Sequence, residues 1–484
     1  MDQWVIKNIT KLLSITGLAL GFFLFLPLGV GYYYGEEIWQ FSLFVGCFIV
    51  FNGILFMSVY NHTFNLSIKE GILGVNLIWL LAGIAGGVPL WLYGDIRPMQ
   101  AFFEAISGFT TTGATVFTDI EALPKSLLML RSLMQWLGGM GILVLGVGLF
   151  SLINPSGSLA LFKAEASGVK LEKVTPKIKD TALVLWGIYI ALTCLNTLLL
   201  YMQGLGFFDA LNHAFCTLST GGFSTQNSSF GAFSQTPLAL WTTTCFMLLG
   251  GINFLAHFKF LHGSTEGYRY EETQWYGVIF LLLAFTLTIV SILATDLSFF
   301  EAATHSFFNI ASLLTTTGFA STDYETWGQL AVAICFIAML IGGNGGSTSG
   351  GVKVVRFIIT TKVVISEIKK IIHPNAIIGV FMNKTPIPSS LITATFGFMM
   401  LFILTNAIIV IFLFSSGYDA LTSISAAIAC VGNVGPGFGL VGPAQHYAFF
   451  TDTEAFVLAL GMIAGRLEIY TFFLVFFSGF WRRF

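Results

Sequence analysis

Thr110-Thr111-Thr112-Gly113, Ser219-Thr220-Gly221-Gly222, Thr315-Thr316-Thr317-Gly318 and Gly432-Asn433-Val434-Gly435 are four short hydroxyl- and glycine-rich segments in an otherwise apolar chain. Their final glycines lie 109, 96 and 117 residues apart, and long apolar runs flank each segment. An ion that leaves water needs a ring of oxygens to replace its hydration shell, and backbone carbonyls on four loops can supply one. Glycine at the closing position permits backbone geometry that a side chain would block. A single Thr-Gly stretch reads equally well as an ordinary loop, whereas four in matching positions point to one shared pathway.

The rest of the composition fixes the solvent. Hydrophobic residues make up 55% of the chain and charged residues 10%, with 50 phenylalanines and a mean hydropathy of +0.83. Stretches of membrane-spanning length occur throughout. We read ten spans, at 12–31, 40–59, 70–92, 127–150, 181–203, 236–258, 274–295, 328–371 (interrupted), 390–415 and 453–478. The fold class expected is an all-α polytopic membrane protein. Two leading spans (1–66) precede four repeats at 67–165, 166–262, 263–375 and 376–484. The amphipathic start and the length of the first span argue for a retained helix rather than a signal peptide.

Each repeat reads as outer helix, half-helix, segment, inner helix. The half-helices, at 99–109, 208–218, 301–314 and 419–431, are too short to cross a bilayer. Their C-terminal ends should face the pathway, where the negative end of the helix dipole favours a cation. Non-helical backbone at membrane depth is tolerated only where it lines a wet cavity or is buried in protein. In the first three repeats a matching triplet ends nine residues before the closing glycine: Phe102-Phe103-Glu104, Leu211-Asn212-His213 and Phe307-Phe308-Asn309. The inner helices carry Gly138-Gly139, Gly250-Gly251, Gly342-Gly343 and Gly461, suited to close packing or bending.

Basic residues set the orientation. With the N-terminus in the cytoplasm, Arg97, Lys125 and Arg131 alone face outward, while clusters such as Lys163–Lys179 and Lys362–Lys384 face inward. This positive-inside pattern places both termini in the cytoplasm and opens all four segments to the outer face. Eleven acidic residues, from Asp95 and Asp119 to Asp452 and Glu454, fall on the outer side, each a solvated loop residue that together would concentrate cations at the mouth. The six cysteines are scattered singly, which suits small buried hydrophobes rather than a metal site or disulfide framework. The seven histidines form no metal-ligand pair, and no nucleophile–base arrangement stands out, so no catalytic site is expected.

Two further features bear on control of the pathway. Gly342-Gly343-Asn344-Gly345-Gly346-Ser347-Thr348-Ser349-Gly350-Gly351 interrupts the third inner helix. Glycine costs about 1 kcal/mol per residue against alanine in a helix interior, so this stretch should not stay helical. Lys353 invites comparison with a phosphate-binding loop, but no Gly-Lys-Ser/Thr follows. A mobile gate below the third segment fits better. Arg466 lies in the last apolar span, where a guanidinium is expensive and usually faces a cavity or partner. It reads either as a tie to Glu468 or a carbonyl, or as a pathway-facing charge that repels cations and binds loop carbonyls; both can hold.

The four segments, the glycine-rich break and Gly465-Arg466-Leu467-Glu468 resemble those of the Trk/Ktr/HKT superfamily of potassium transporters, over essentially the whole chain. The two extra leading spans favour the Trk type over the shorter Ktr type. The resemblance implies a pseudo-fourfold pore with potassium at the sixteen residues of the four segments, and gating by Gly342–Gly351 with Arg466. It further implies a bacterial inner-membrane homodimer, each protomer with its own pore, and a cytosolic TrkA-like subunit that binds nucleotides. Serine at the first closing glycine accompanies sodium transport in plant members, so Gly113 leans toward potassium. The resemblance implies potassium as the permeating ion; no covalent cofactor and no nucleic-acid partner are expected, and lipid is expected to surround the chain. A proton- or sodium-coupled symporter remains an alternative, with Glu104 and His213 as its candidate titratable groups. A polytopic membrane enzyme would show Asp, His or Glu clustered within the spans, which this chain does not.

Overall fold

The computed structural model describes residues 3–63, 66–145, 178–376, 378–443 and 445–482. Outside these fall the end of the 127–150 span, the boundary between the first two repeats, Arg483, and Lys163, Lys170, Lys173 and Lys177.

Among the described residues, six helical spans are long and apolar enough to cross a membrane. Gln3–Tyr33 comprises α1 (Gln3–Phe23) and α2 (Phe25–Tyr33), and α3 is Trp39–Ser58. The outer helices of the four repeats are α4 (Ile68–Tyr93), α7 (Ile178–Met202), α11 (Glu271–Ala294) and α15 (Ser389–Ser415). The leading helices α1 and α3 pack on α4. That cover explains why 61% of the α4 span is buried, against 39, 28 and 33% for the other outer helices.

The half-helices are α5 (Pro98–Phe109), α8 (Phe207–Leu218), α12 (Phe299–Leu314) and α16 (Ala420–Val431); the inner helices are α6 (Lys125–Leu145), α9 (Pro237–Gly250), α13 (Gln329–Ile341) and α17 (Asp452–Arg466). Each half-helix packs on its own outer helix. Each inner helix also packs on the half-helix of the next repeat: α6 on α8, α9 on α12, α13 on α16, and α17 back on α5. The repeats therefore close into a ring, the expected all-α polytopic architecture of four helix–loop–helix units plus two leading spans.

Two spans expected to be continuous are broken. The second inner span bends by 98° between α9 and α10 (Phe254–Leu261). Asn253 caps α10 by accepting from Leu255 N at 2.9 Å, and the freed carbonyls of Gly250 and Gly251 accept hydrogen bonds from the glycine-rich loop. The last span stops at Arg466, because Glu468 and Ile469 both adopt left-handed backbone (φ 54° and 57°) before α18 (Tyr470–Leu474) begins. Nothing in the Leu-Glu-Ile-Tyr sequence announces this break; the carboxylate of Glu468 is held by Arg356 of α14 (Val354–Ile372) at 2.9 Å. The interruption between α13 and α14 falls where the glycines place it. A short antiparallel hairpin, Phe381–Met382 with Thr385–Pro386, lies between α14 and α15.

Candidate ion-conduction site

All four half-helices end alike. Thr112, Gly221, Thr317 and Val434 donate their backbone N–H to the carbonyl five residues back, at 2.9, 2.8, 2.7 and 2.8 Å. This is the bond that closes a helix whose next residue is left-handed. Here that residue is Thr111, Thr220, Thr316 and Asn433, with φ of 53°, 52°, 57° and 53°. Glycine would be the relaxed choice; a β-branched threonine in this region is strained, and such strain concentrates at functional sites. Two residues on, Gly113, Gly222, Gly318 and Gly435 have φ of 87°, 83°, 85° and 95°. Alternation of left-handed backbone with ordinary backbone turns successive peptide planes toward one side, as a carbonyl-lined filter requires.

The closing glycines also join the segments. A Cβ on Gly113 would lie 2.3 Å from the Gly221 carbonyl oxygen; on Gly222, 2.0 Å from that of Thr317; on Gly318, 2.2 Å from that of Val434; on Gly435, 2.4 Å from that of Thr112. Each glycine abuts the backbone of the next segment, and the fourth returns to the first. Asn433, in the hydroxyl-poor fourth segment, spans this last junction by donating from Nδ2 to Thr112 Oγ1 and to the Met462 carbonyl, each at 3.0 Å.

The triplet ends brace the chain leaving each segment. Glu104 accepts from Val116 N (2.8 Å) and Thr115 Oγ1 (3.0 Å), and Asn309 Oδ1 accepts from Ser321 N (3.1 Å). His213 Nδ1 meets the Asp209 carbonyl at 2.8 Å. Since a carbonyl only accepts, Nδ1 carries the proton, and Nε2 of the neutral ring accepts from Ser224 Oγ at 2.9 Å. In the fourth repeat the neighbouring Ser425 takes the role, accepting from Phe438 N at 2.9 Å.

Arg131, expected to face outward near the start of the 127–150 span, is a fully buried side chain, paired through Nε with Glu104 at 2.9 Å. Breaking a buried pair strands the other charge at a cost of about 3–5 kcal/mol. Glu104→Leu is therefore expected to lower thermal stability in detergent by about that much, with Glu104→Leu/Arg131→Met costing less than the single change. Equal melting temperatures for wild type and Glu104→Leu would show that the pair contributes nothing.

Outside the ring, a vestibule is lined by the four closing glycines together with Arg131, His446 and Tyr447, and by no carboxylate among the described residues. Most of the acidic residues are exposed, as their solvated reading expects, and several of them also brace local structure. Glu301 and Glu454 complete helix capping boxes, Asp452 pairs with Arg97 at 2.7 Å, and Asp209 accepts from Thr225 at 2.6 Å. Asp119 accepts from the Asn227 amide at 2.9 Å, which holds its carboxyl below the usual range.

The Gly342–Gly351 loop lies directly against the inner side of the ring. Gly350 N donates to Thr316 Oγ1 (2.6 Å), Gly351 N to the Gly432 carbonyl (2.8 Å), and Thr348 Oγ1 to the Leu218 carbonyl (3.0 Å). The loop forms a buried, heavily bonded plug. Asn344 N and Thr348 N donate to the Gly251 and Gly250 carbonyls (2.9 and 3.3 Å). Arg466, also buried, donates from Nη1 to the Thr348 carbonyl (2.9 Å) and from Nη2 to the Gly138 carbonyl (3.4 Å). The carbonyl-binding reading of Arg466 thus holds, while the partner found for Glu468 is Arg356.

Two anchors of the loop escaped the sequence reading. Glu272, in the first turn of α11, accepts from Gly345 N at 2.6 Å, and Lys353 donates to the Ser349 carbonyl. Glu272 looks like an ordinary helix-start carboxylate; Lys353, weighed as a phosphate ligand, is an internal tie. In the fourth repeat the close-approach glycine is Gly465, whose Cβ would lie 1.9 Å from the Val431 carbonyl oxygen. Gly138 makes the matching approach to Phe109, at 1.8 Å. Gly461, singled out from spacing, packs instead against side chains.

Residues 38–482 match the TrkH family, described as cation transport proteins. This chain belongs to the TrkH family. The Trk system potassium uptake protein TrkH of Halomonas elongata is 33% identical over 98% of this chain and 100% of its own length. TrkI of the same organism is 33% identical over 98% of this chain and 97% of its own. The crystal structure of the potassium transporter TrkH from Vibrio parahaemolyticus superposes with a TM-score of 0.89 at 30% identity, covering 99% of this chain and all of that one. Membership of this family makes the chain a multi-pass transport protein.

Proposed function

We propose that this chain carries potassium into the cell across a bacterial inner membrane, through a filter formed by the four segments. The observation that carries the reading is the cyclic abutment of Gly113, Gly222, Gly318 and Gly435, each on the backbone of the next segment. A potassium ion reaching this ring exchanges water for fixed oxygens, and the spacing between segments sets which ion fits. The relatives named as potassium uptake proteins support the choice of ion. Below the ring, the Gly342–Gly351 plug and Arg466 form the gate.

Glu104 and His213, which proton coupling would need, are committed to Arg131, Thr115 and Val116 and to Asp209 and Ser224. That commitment favours uncoupled conduction over symport. In our reading both termini are cytoplasmic, two protomers associate with one pathway each, and a nucleotide-binding subunit docks at the basic segments Lys163–Lys179 and Lys362–Lys384, the second of which begins on α14.

Purified protein in liposomes should pass potassium and rubidium ahead of sodium and lithium, with no imposed pH or sodium gradient. Flux that appears only with such a gradient would make the protein a symporter. Isolation from the native host should recover the nucleotide-binding subunit; intact regulated transport in its absence would remove it from the scheme.

A further inference from the structure

The four segments are not braced alike. In the first and third, the threonine before the closing glycine bonds the hydroxyl two residues back: Thr112 to Thr110 and Thr317 to Thr315, both at 2.7 Å. The second segment has Gly221 at this position and no hydroxyl to offer. Ser219 nevertheless stands where Thr110 and Thr315 stand, and like them donates to the carbonyl four residues back at 2.7 Å.

The missing brace is replaced from another repeat. Gln135, on inner helix α6 of the first repeat, is fully buried. Its Nε2 donates to the Gly221 carbonyl at 2.6 Å and its Oε1 accepts from Phe223 N at 3.0 Å. The amide thus spans Gly222 as a paired peptide would. The two residues exclude each other's alternatives, since a Cβ on Gly221 would lie 2.4 Å from Gln135 Cδ and Oε1. The carbonyl that Gln135 holds is also the one against which Gly113 packs. One turn earlier on the same face of α6, Arg131 donates to the Ser224 carbonyl at 3.1 Å.

We propose that Gln135 is a specificity-determining positioning residue, fixing the second segment and its junction with the first in place of the Thr–Thr hydroxyl brace. The proposal rests on the reading of the four segments as the filter. The test is the potassium-to-sodium permeability ratio in liposomes for Gln135→Met, Gly221→Thr and Gln135→Ala/Gly221→Thr, with Gly113→Ser as control and rubidium flux to verify assembly. Gln135→Met should lower the ratio about tenfold, the worth of about 1.4 kcal/mol of lost bonding. Gly221→Thr alone should lower it through collision with Gln135. The double variant, which makes room for a hydroxyl pair between Ser219 and the introduced threonine, should recover most of the wild-type ratio. Should Gln135→Met fail to assemble, the comparison of Gly221→Thr with the double variant decides. A double variant no better than Gly221→Thr, or an unchanged ratio in Gln135→Met while Gly113→Ser lowers it, overturns the proposal and leaves the filter reading intact. An unchanged ratio in Gly113→Ser as well would remove the filter reading itself.

Discussion

Arg466→Ala is expected to raise potassium flux roughly tenfold or more while leaving the potassium-to-sodium ratio close to wild type. At an effective dielectric of about 20, a unit charge held about 8 Å from a cation repels it by about 2 kcal/mol, a factor of roughly thirty in rate. The guanidinium also ties the plug to the Gly138 carbonyl of α6 through its two ends, so alanine removes a tether together with the repulsion. Arg466→Lys keeps the charge but lacks the planar fork that reaches both carbonyls, and its flux should fall between the two. Shortening the loop by Gly345 and Gly346 should act in the same direction as Arg466→Ala, because the bonds to Glu272 and Phe254 go with it. Stopped-flow potassium flux on protein of normal elution profile is the measurement. Loss of transport in well-folded Arg466→Ala would make the arginine a structural tie rather than part of a barrier.

Gly113→Ser and Gly318→Ser are expected to lower potassium preference by about tenfold or more, each acting on a different junction of the ring. Both positions have φ near +85°, where a side chain costs about 1–3 kcal/mol of backbone strain. Their new Cβ atoms would also meet the Gly221 and Val434 carbonyl oxygens at 2.3 and 2.2 Å. Those oxygens are backbone and can move only by shifting the neighbouring segment. Widened junctions should admit sodium more than they impede potassium, so the ratio of permeabilities reports the effect better than total flux. Wild-type ratios in both variants would mean that ion choice is made elsewhere.

Much of this was legible in the residues. The half-helices start and end within two residues of their expected bounds, since Pro98, Ser298-x-x-Glu301 and the capping Asp419 mark three of the starts and the four glycine-closed segments mark the ends. The glycine run at 342–351 foretold the break between α13 and α14. By contrast, the breaks after Gly250 and Arg466 were hidden, because each depends on partners distant in sequence: the plug for the first, and Arg356 for the second. Spacing chose Gly461 over Gly465, since a count of residues cannot tell which glycine faces a carbonyl.

What the sequence determined by itself is therefore local and periodic: the membrane as solvent, four repeats, four glycine-closed segments, and a loop that cannot stay helical. Those follow from hydropathy, helix propensity and the backbone limits of single residues, which neighbours in sequence decide. The tertiary structure alone decided which charges are buried and with whom. Arg131 meets Glu104, Arg466 meets the Thr348 carbonyl, and Gln135 reaches across a repeat to Gly221. The physical reason is that a buried polar group must find its partner in space, and those partners lie on other helices or other repeats, from 27 residues away for Arg131 and Glu104 to 118 for Arg466 and Thr348.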